Sequence, residues 1–140
     1  MCRVLLMKKR WKTKCIVVAF ALCHYAQALS VELYVITNPG LSIEPAEVKS
    51  IFLGETEFSG SVKLEVTDNA AAQTVFLSKV MGMDKAKYEA LWMKKSFRDG
   101  VIQPTQRGSD AEVINFVKNT PGAIGFVINT PAGVNVIQQY

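Results

Sequence analysis

Beyond Ala28 this sequence contains no cysteine and no histidine. Cys2, Cys15, Cys23 and the single histidine, His24, all fall within the first 28 residues. Residues 29–140 therefore exclude disulfides, thiol redox chemistry, Cys/His zinc sites and any mechanism with a histidine base or cysteine nucleophile. A metal there would have oxygen ligands only, and the acids lack EF-hand spacing. No metal or cofactor is expected.

Acidic residues are missing from the first 28 positions, which hold Arg3, Lys8, Lys9, Arg10, Lys12 and Lys14. The whole chain carries 16 basic and 12 acidic residues, a formal charge of +4. Setting aside those six cations leaves ten basic residues against twelve acidic ones, so residues 29–140 are mildly acidic. Nucleic-acid binding needs a basic face on the folded domain, and this balance argues against it.

The first 28 residues read as a cleavable export signal. Met1–Lys14 is positive, Cys15–Ala26 is an apolar run of 12, and Ala26-Gln27-Ala28 offers small residues to a signal peptidase. Twelve residues span ~18 Å as a helix against ~30 Å of hydrocarbon core, so no stable membrane insertion is expected after cleavage. Met7 opens a more compact version of the same signal and is the expected start of translation. Leu22 before Cys23 is too large for a lipobox, which argues against lipidation. The expected location is periplasmic or secreted, with one domain over residues 29–140.

Within that domain, Ser30–Thr37 is β-branched and aromatic and predicts a strand ended by Asn38-Pro39-Gly40. Ser42 is positioned to cap a helix over 43–53, with Val48, Ile51 and Phe52 inward and Gly54 as its stop. Glu55–Ser61 reads as a polar turn. Ser61–Thr67 alternates Val62, Leu64 and Val66 with polar residues, the pattern of a half-buried strand. Asp68 or Asn69 then caps a helix over 70–81, ended by Gly82. Asp84 caps another over 85–97, with Tyr88, Leu91 and Trp92 inward. Lys94, Lys95 and Arg98 gather at its C-terminal end, where the helix dipole favours cations. Asp99–Gly108 reads as a loop. Ser109-Asp110-Ala111-Glu112 is a capping box for a helix that Thr120-Pro121-Gly122 ends. Ala123–Asn129 predicts a buried strand, and Val134–Gln139 a further strand or a tail. Strands separated by helices imply an α/β fold with a mainly parallel sheet flanked by helices.

Three segments, in order, resemble the phosphate ABC transporter periplasmic substrate-binding protein family, of the type II periplasmic-binding-protein fold, and in particular its short single-lobe members. They are Val48–Gly54 (VKSIFLG), Phe76–Gly82 (FLSKVMG) followed by Tyr88–Trp92, and Thr120–Phe126 (TPGAIGF). The resemblance covers about residues 31–128. It implies one lobe of a type II fold, binding of inorganic phosphate or another small oxyanion, and an ABC permease as partner. Full-length members hold the ligand between two lobes, whereas this chain has room for one. They also carry an Arg and a Ser-Gly-Thr run after the second strand. Here that stretch is Val66-Thr67-Asp68-Asn69-Ala70-Ala71-Ala72.

Candidate ligand contacts follow from the places where a strand meets a helix N-terminus, whose free N–H groups suit an anion. Thr67, Asp68 and Asn69 lie at one such junction, although Asp68 would repel a dianion and simple capping accounts for these residues equally. Thr37 and Asn38 end the first strand and could face the same crevice, or form only a turn. Arg107 with Ser109 is the best anion candidate, a Gly-flanked cation beside a capping box; a solvated Arg and a capping Ser is the plainer reading. Trp92 suits core packing better than a surface anchor. Glu55 and Glu57 lie in an exposed turn, a poor setting for paired-carboxylate hydrolysis. The chain is thus expected to be a non-enzymatic, exported oxyanion-binding domain for an ABC importer. The alternative is a cell-envelope interaction module that kept the fold and lost the ligand.

Overall fold

The computed structural model describes residues 29–140; the expected export signal, Met7 start and Cys23 question lie outside the described residues. Thirteen segments of regular structure build one five-stranded sheet and a small hairpin. In chain order the elements are β1 (Tyr34–Thr37), α1 (Val48–Phe52), β2 (Phe58–Ser59), β3 (Val62–Lys63), β4 (Glu65–Asn69) and α2 (Gln73–Phe76). They continue with α3 (Lys85–Asp99), β5 (Thr105–Arg107), α4 (Asp110–Asn119), β6 (Ala123–Val127) and β7 (Asn135–Gln139). A 3-10 turn, Pro45–Glu47, leads into α1, and a π-type turn, Leu77–Met81, continues α2.

The sheet order is β5-β4-β6-β1-β7. β4 pairs in parallel with both β5 and β6, while β1 runs antiparallel to β6 and to β7. Four strands therefore point one way and β1 opposes them, a mixed, mostly parallel sheet. β6 sits at its centre, and all five of its residues are buried. A strand covered on both faces must be apolar on both, which is why Ala123–Val127 reads as a continuous run.

The two faces have separate cores. On one, Phe52, Phe76 and Phe126 meet, with Phe76 and Phe126 stacked at 3.9 Å between centroids and Phe52 tilted 4.6 Å from Phe76. Tyr88 and Trp92 extend this core from α3. On the other, α4 lays Val113 and Val117 against Tyr34, Ile36, Ala123 and Val127.

Several expectations need correction. The first strand begins at Tyr34, not Ser30. Glu44, not Ser42, stands at the cap of the first helical turn. Its N–H donates to the Glu47 carboxylate at 3.0 Å, and Pro45 follows where no helical donor is needed. The region read as a polar turn and one strand holds the β2–β3 hairpin, turned at Gly60 with φ 59°. Consequently Val62 is exposed, and the expected alternation holds only from Leu64 to Val66 before Thr67 also turns inward. Thr67, Asp68 and Asn69 are all buried, because β4 is an interior strand. β5 lies inside the expected 99–108 loop. Three polar residues suffice there because an edge strand is hydrogen-bonded on one side only. Within the expected 134–139 segment, Asn135–Gln139 is a strand, the exposed edge β7.

Close approach explains two glycines of the TPGAIGF segment. Gly122 has φ 79°, and a Cβ there would stand 2.1 Å from the Lys63 carbonyl oxygen. At Gly125 a Cβ would meet Val113 Cγ1 at 2.8 Å and Thr67 Cγ2 at 2.9 Å, the contact that seats α4 on the sheet. Backbone cannot yield as a flexible side chain can. Gly122→Ala is therefore expected to lose about 2–5 kcal/mol of stability, left-handed strain plus overpacking. The urea midpoint of the variant against the parent checks this, and an unchanged midpoint would contradict the packing.

Candidate functional site

The connections of the sheet define a crevice. From the end of β4 the chain passes to α2 and α3 on one face; from the end of β5 it passes to α4 on the other. Neighbouring parallel strands whose connections leave to opposite faces open a gap at their carboxyl ends, the usual ligand position in open α/β sheets. Asp68 and Asn69 end β4, Arg107 ends β5 and Ser109 starts α4. The structure thus brings Thr67, Asp68, Asn69, Arg107 and Ser109 to one edge.

Thr37 and Asn38 are elsewhere. Because β1 is antiparallel to β6, its last residue, Thr37, lies beside Ile124 at the start of β6. The expectation of a shared crevice is corrected by that reversal. Thr37 Oγ1 donates to the Leu41 carbonyl at 3.1 Å, and Asn38 Nδ2 donates to the Val117 carbonyl at 3.0 Å. Asn38 Oδ1 accepts from Gly40 N, so these residues shape a turn and tie it to the end of α4.

At the crevice itself most polar groups already have partners. Thr67 Oγ1 donates to the Thr105 carbonyl at 2.9 Å. Asp68 accepts from its neighbour's amide, Asn69 N, and from Gln73 Nε2, both at 2.9 Å. Neither Asp68 nor Asn69 caps α2, which begins later, at Gln73; Ala72 holds the cap position without a side-chain bond. Asn69 Oδ1 accepts from Ala71 N instead, forming a local turn that delays the helix. Asn69 Nδ2 donates to Asp110 Oδ1 at 2.7 Å and to the Phe126 carbonyl at 2.9 Å.

Asp110, Asn129 and Gln73 complete this network and were not singled out as site residues from the sequence. Asp110 Oδ2 accepts from Asn129 Nδ2 at 2.7 Å and from the amides of Asn129 and Ile128 at 2.9 and 3.2 Å. One carboxylate therefore joins the ends of β4 and β6 to the first turn of α4. Its capping-box position was legible; that it turns inward was not.

Arg107 differs from these groups. Its guanidinium carbon lies 3.9 Å from the centroid of the Phe116 ring, a cation–π contact along α4. Its Nε is buried without a hydrogen-bond partner, and among the described residues no carboxylate is within ion-pair distance of it. Ser109 Oγ accepts from Glu112 N at 3.3 Å, as a cap should. Glu112 Oε2 accepts from Gly108 N at 2.9 Å, placing a negative charge over the amide between Arg107 and Ser109. The amides of the first helical turn have no intrahelical acceptor. The crevice therefore offers one cation and helix-end donors, opposed by one exposed carboxylate.

The expected basic cluster on α3 is partly dispersed. Lys95 bends to the Leu53 carbonyl and over Trp92, and Arg98 pairs with Asp99 at 2.7 Å. Among the described residues no group of three His, Cys, Asp or Glu is arranged to hold a metal ion. No described helix is long and apolar enough to cross a membrane.

A sheet of mixed but mostly parallel strands with helices on both faces makes this an α/β lobe. Among solved structures it is similar to the crystal structure of an ABC-type phosphate transport receptor from Vibrio cholerae, with a TM-score of 0.56 and 16% sequence identity. The match covers 76% of this chain and 45% of the receptor, so the chain spans less than half of that protein. At that identity the likeness is one of fold. No protein-family model and no curated protein matches the sequence.

Burial raises the Asp68 pKa above its ordinary value of 3.8, against the lowering effects of Gln73, the Asn69 amide and the charge of Lys85. A carboxyl raised on folding binds its proton more tightly in the folded state. Its contribution to stability is then largest below the ordinary value and declines as pH rises through the folded one. Asp68→Asn keeps the shape, and a flipped Gln73 amide can accept from it. The expected outcome is a urea midpoint that gains on the parent as pH rises from 4 to 7; a parallel pH profile would contradict it.

Proposed function

We propose that this chain is an exported substrate-binding-protein-like lobe that takes a small oxyanion, inorganic phosphate or a relative, for an ABC importer. The proposed contact is Arg107 together with the first turn of α4 beyond Ser109. The observation that carries this reading is the unpaired guanidinium at the crevice between β4 and β5. The fold likeness to a phosphate transport receptor supports the choice of anion. The proposed role is binding without catalysis, in the periplasm or outside the cell.

The physics sets the strength. A charge-assisted contact to one Arg plus helix-end amides attracts an anion, while Glu112 must swing off Gly108 N to admit it. Asp110 does not compete for Arg107, since both its oxygens are engaged elsewhere. A lobe alone gives the ligand one wall, so weak, millimolar-range affinity is expected. Isothermal titration of the purified protein with phosphate and sulfate tests this. Arg107→Ala should abolish the heat, and Glu112→Gln should strengthen binding about threefold to tenfold, the scale of one removed repulsion near a helix end. No heat at millimolar anion for the parent protein or for Glu112→Gln would sink the oxyanion reading.

A second reading, an envelope interaction module without a ligand, is favoured by one observation. The hydrogen bonds of Asp68, Asn69 and Asp110 close the interior of the junction, and cavities of about 700, 530 and 430 Å³ elsewhere on the surface are lined by other residues.

A further inference from the structure

The helix α3 has a second apolar face that nothing in the described chain covers. Tyr88 and Trp92 point into the core. On the solvent side Ala86, Ala90, Met93 and Phe97 are all exposed, Met93 at 62% and Phe97 at 87%. Their spacing alternates four, three and four residues, the a/d seam of a helix that pairs with another helix. Beside Phe97 lies a groove of about 530 Å³ lined by Glu89, Trp92, Met93, Ser96, Phe97 and Gln103. Ile102, 88% exposed, borders the adjoining cavity, which shares Trp92 and Gln103. Protruding ring and receiving groove thus belong to the same patch, as a self-complementary surface requires.

Charge along the seam selects the partner and its direction. With Ala90 and Phe97 at a and Met93 at d, Glu89 falls at g and Lys87 and Lys94 at e. In a parallel pair related by a two-fold axis, the g residue of one helix meets the following e residue of the other, so Glu89 meets Lys94 twice. In an antiparallel pair the e positions meet each other, setting Lys87 against Lys94. The residues 29–140 carry ten basic side chains, and five of them, Lys85, Lys87, Lys94, Lys95 and Arg98, are on α3.

We infer that two copies of this chain associate through α3, parallel and two-fold related, with Phe97 of each seated in the other's groove and Glu89–Lys94 pairs on both sides. The exposed Lys85–Glu89 pair, 3.7 Å apart, is weak enough to give way. Lys85, at the start of α3, acts on the charge of Asp68. The strand-end crevices of both copies would then open on the same side of the dimer. This inference does not depend on whether that crevice binds an anion.

Sedimentation equilibrium of the purified protein at micromolar to high micromolar concentration tests the inference. A reversible dimer is expected. Phe97→Ser should abolish association while leaving circular dichroism and, at concentrations where the parent is monomeric, the urea midpoint unchanged, since Phe97 touches solvent rather than core. Glu89→Lys should weaken association about tenfold, and Glu89→Lys with Lys94→Glu should restore it by exchanging the signs. A monomer throughout the range overturns the inference, and so does a dimer that Phe97→Ser leaves intact. A monomer that instead sediments with phosphatidylglycerol vesicles assigns the face to lipid and overturns it as well.

Discussion

The carboxylate of Asp110 holds together the carboxyl end of the sheet, where β4, β6 and α4 meet. It receives hydrogen bonds from Asn69 at the end of β4 and from Ile128 and Asn129 just after β6. It stands itself in the first turn of α4, where a negative charge is favoured by the free amides. A buried carboxylate with four donors is a stable arrangement; the same group with one donor removed would be costly. The crevice is therefore tied across β4, β6 and α4, while the exposed Glu112 side chain rests on Gly108 N at its rim.

That clamp is needed because of how β6 is buried. The strand is covered by α4 on one face and by the Phe52–Phe76–Phe126 group on the other. Glycines at 122 and 125 let the hairpin and α4 come close enough to seal it. Once the centre of the sheet is dry on both faces, every polar group at its ends must find a partner inside the protein. Thr67, Asp68 and Asn69 do so with Thr105, Gln73 and Asp110. Arg107 is the exception among them, and an unpaired cation in such a setting is the clearest opening for an external anion.

The junction has a closed interior and an open rim. Asp68 lies inside with both oxygens hydrogen-bonded, so it presents no free group at the rim. Arg107 and Ser109 lie at the rim, with α4 aligned behind them. Away from the crevice, the outer face of α3 carries its own apolar seam and its own charge pattern. The two surfaces are separate, and a lobe can use both.

Much of the architecture was legible because it is local. The buried run at 123–127, the cap at Asp84, the stop at Gly82 and the capping Ser109 each follow from residues within one turn or strand. So does the pairing of helices with strands that makes an α/β lobe. What local pattern could not show is which way a strand runs in the sheet and what lies beside it. The reversal of β1 moved Thr37 and Asn38 away from the crevice, and the edge position of β5 let three polar residues form a strand. Asn69, read as a cap, became a bridge between strands because Asp110 and the Phe126 carbonyl arrive from 41 and 57 residues away. Residue type and short spacing were enough for the longer helices, the buried strand β6, the charge balance and the lack of cysteine and histidine beyond Ala28. Which polar side chains are spent on one another and which, like Arg107, keep a nitrogen without a partner was settled only in the fold, because hydrogen bonds across a sheet end depend on neighbours that the chain order keeps far apart.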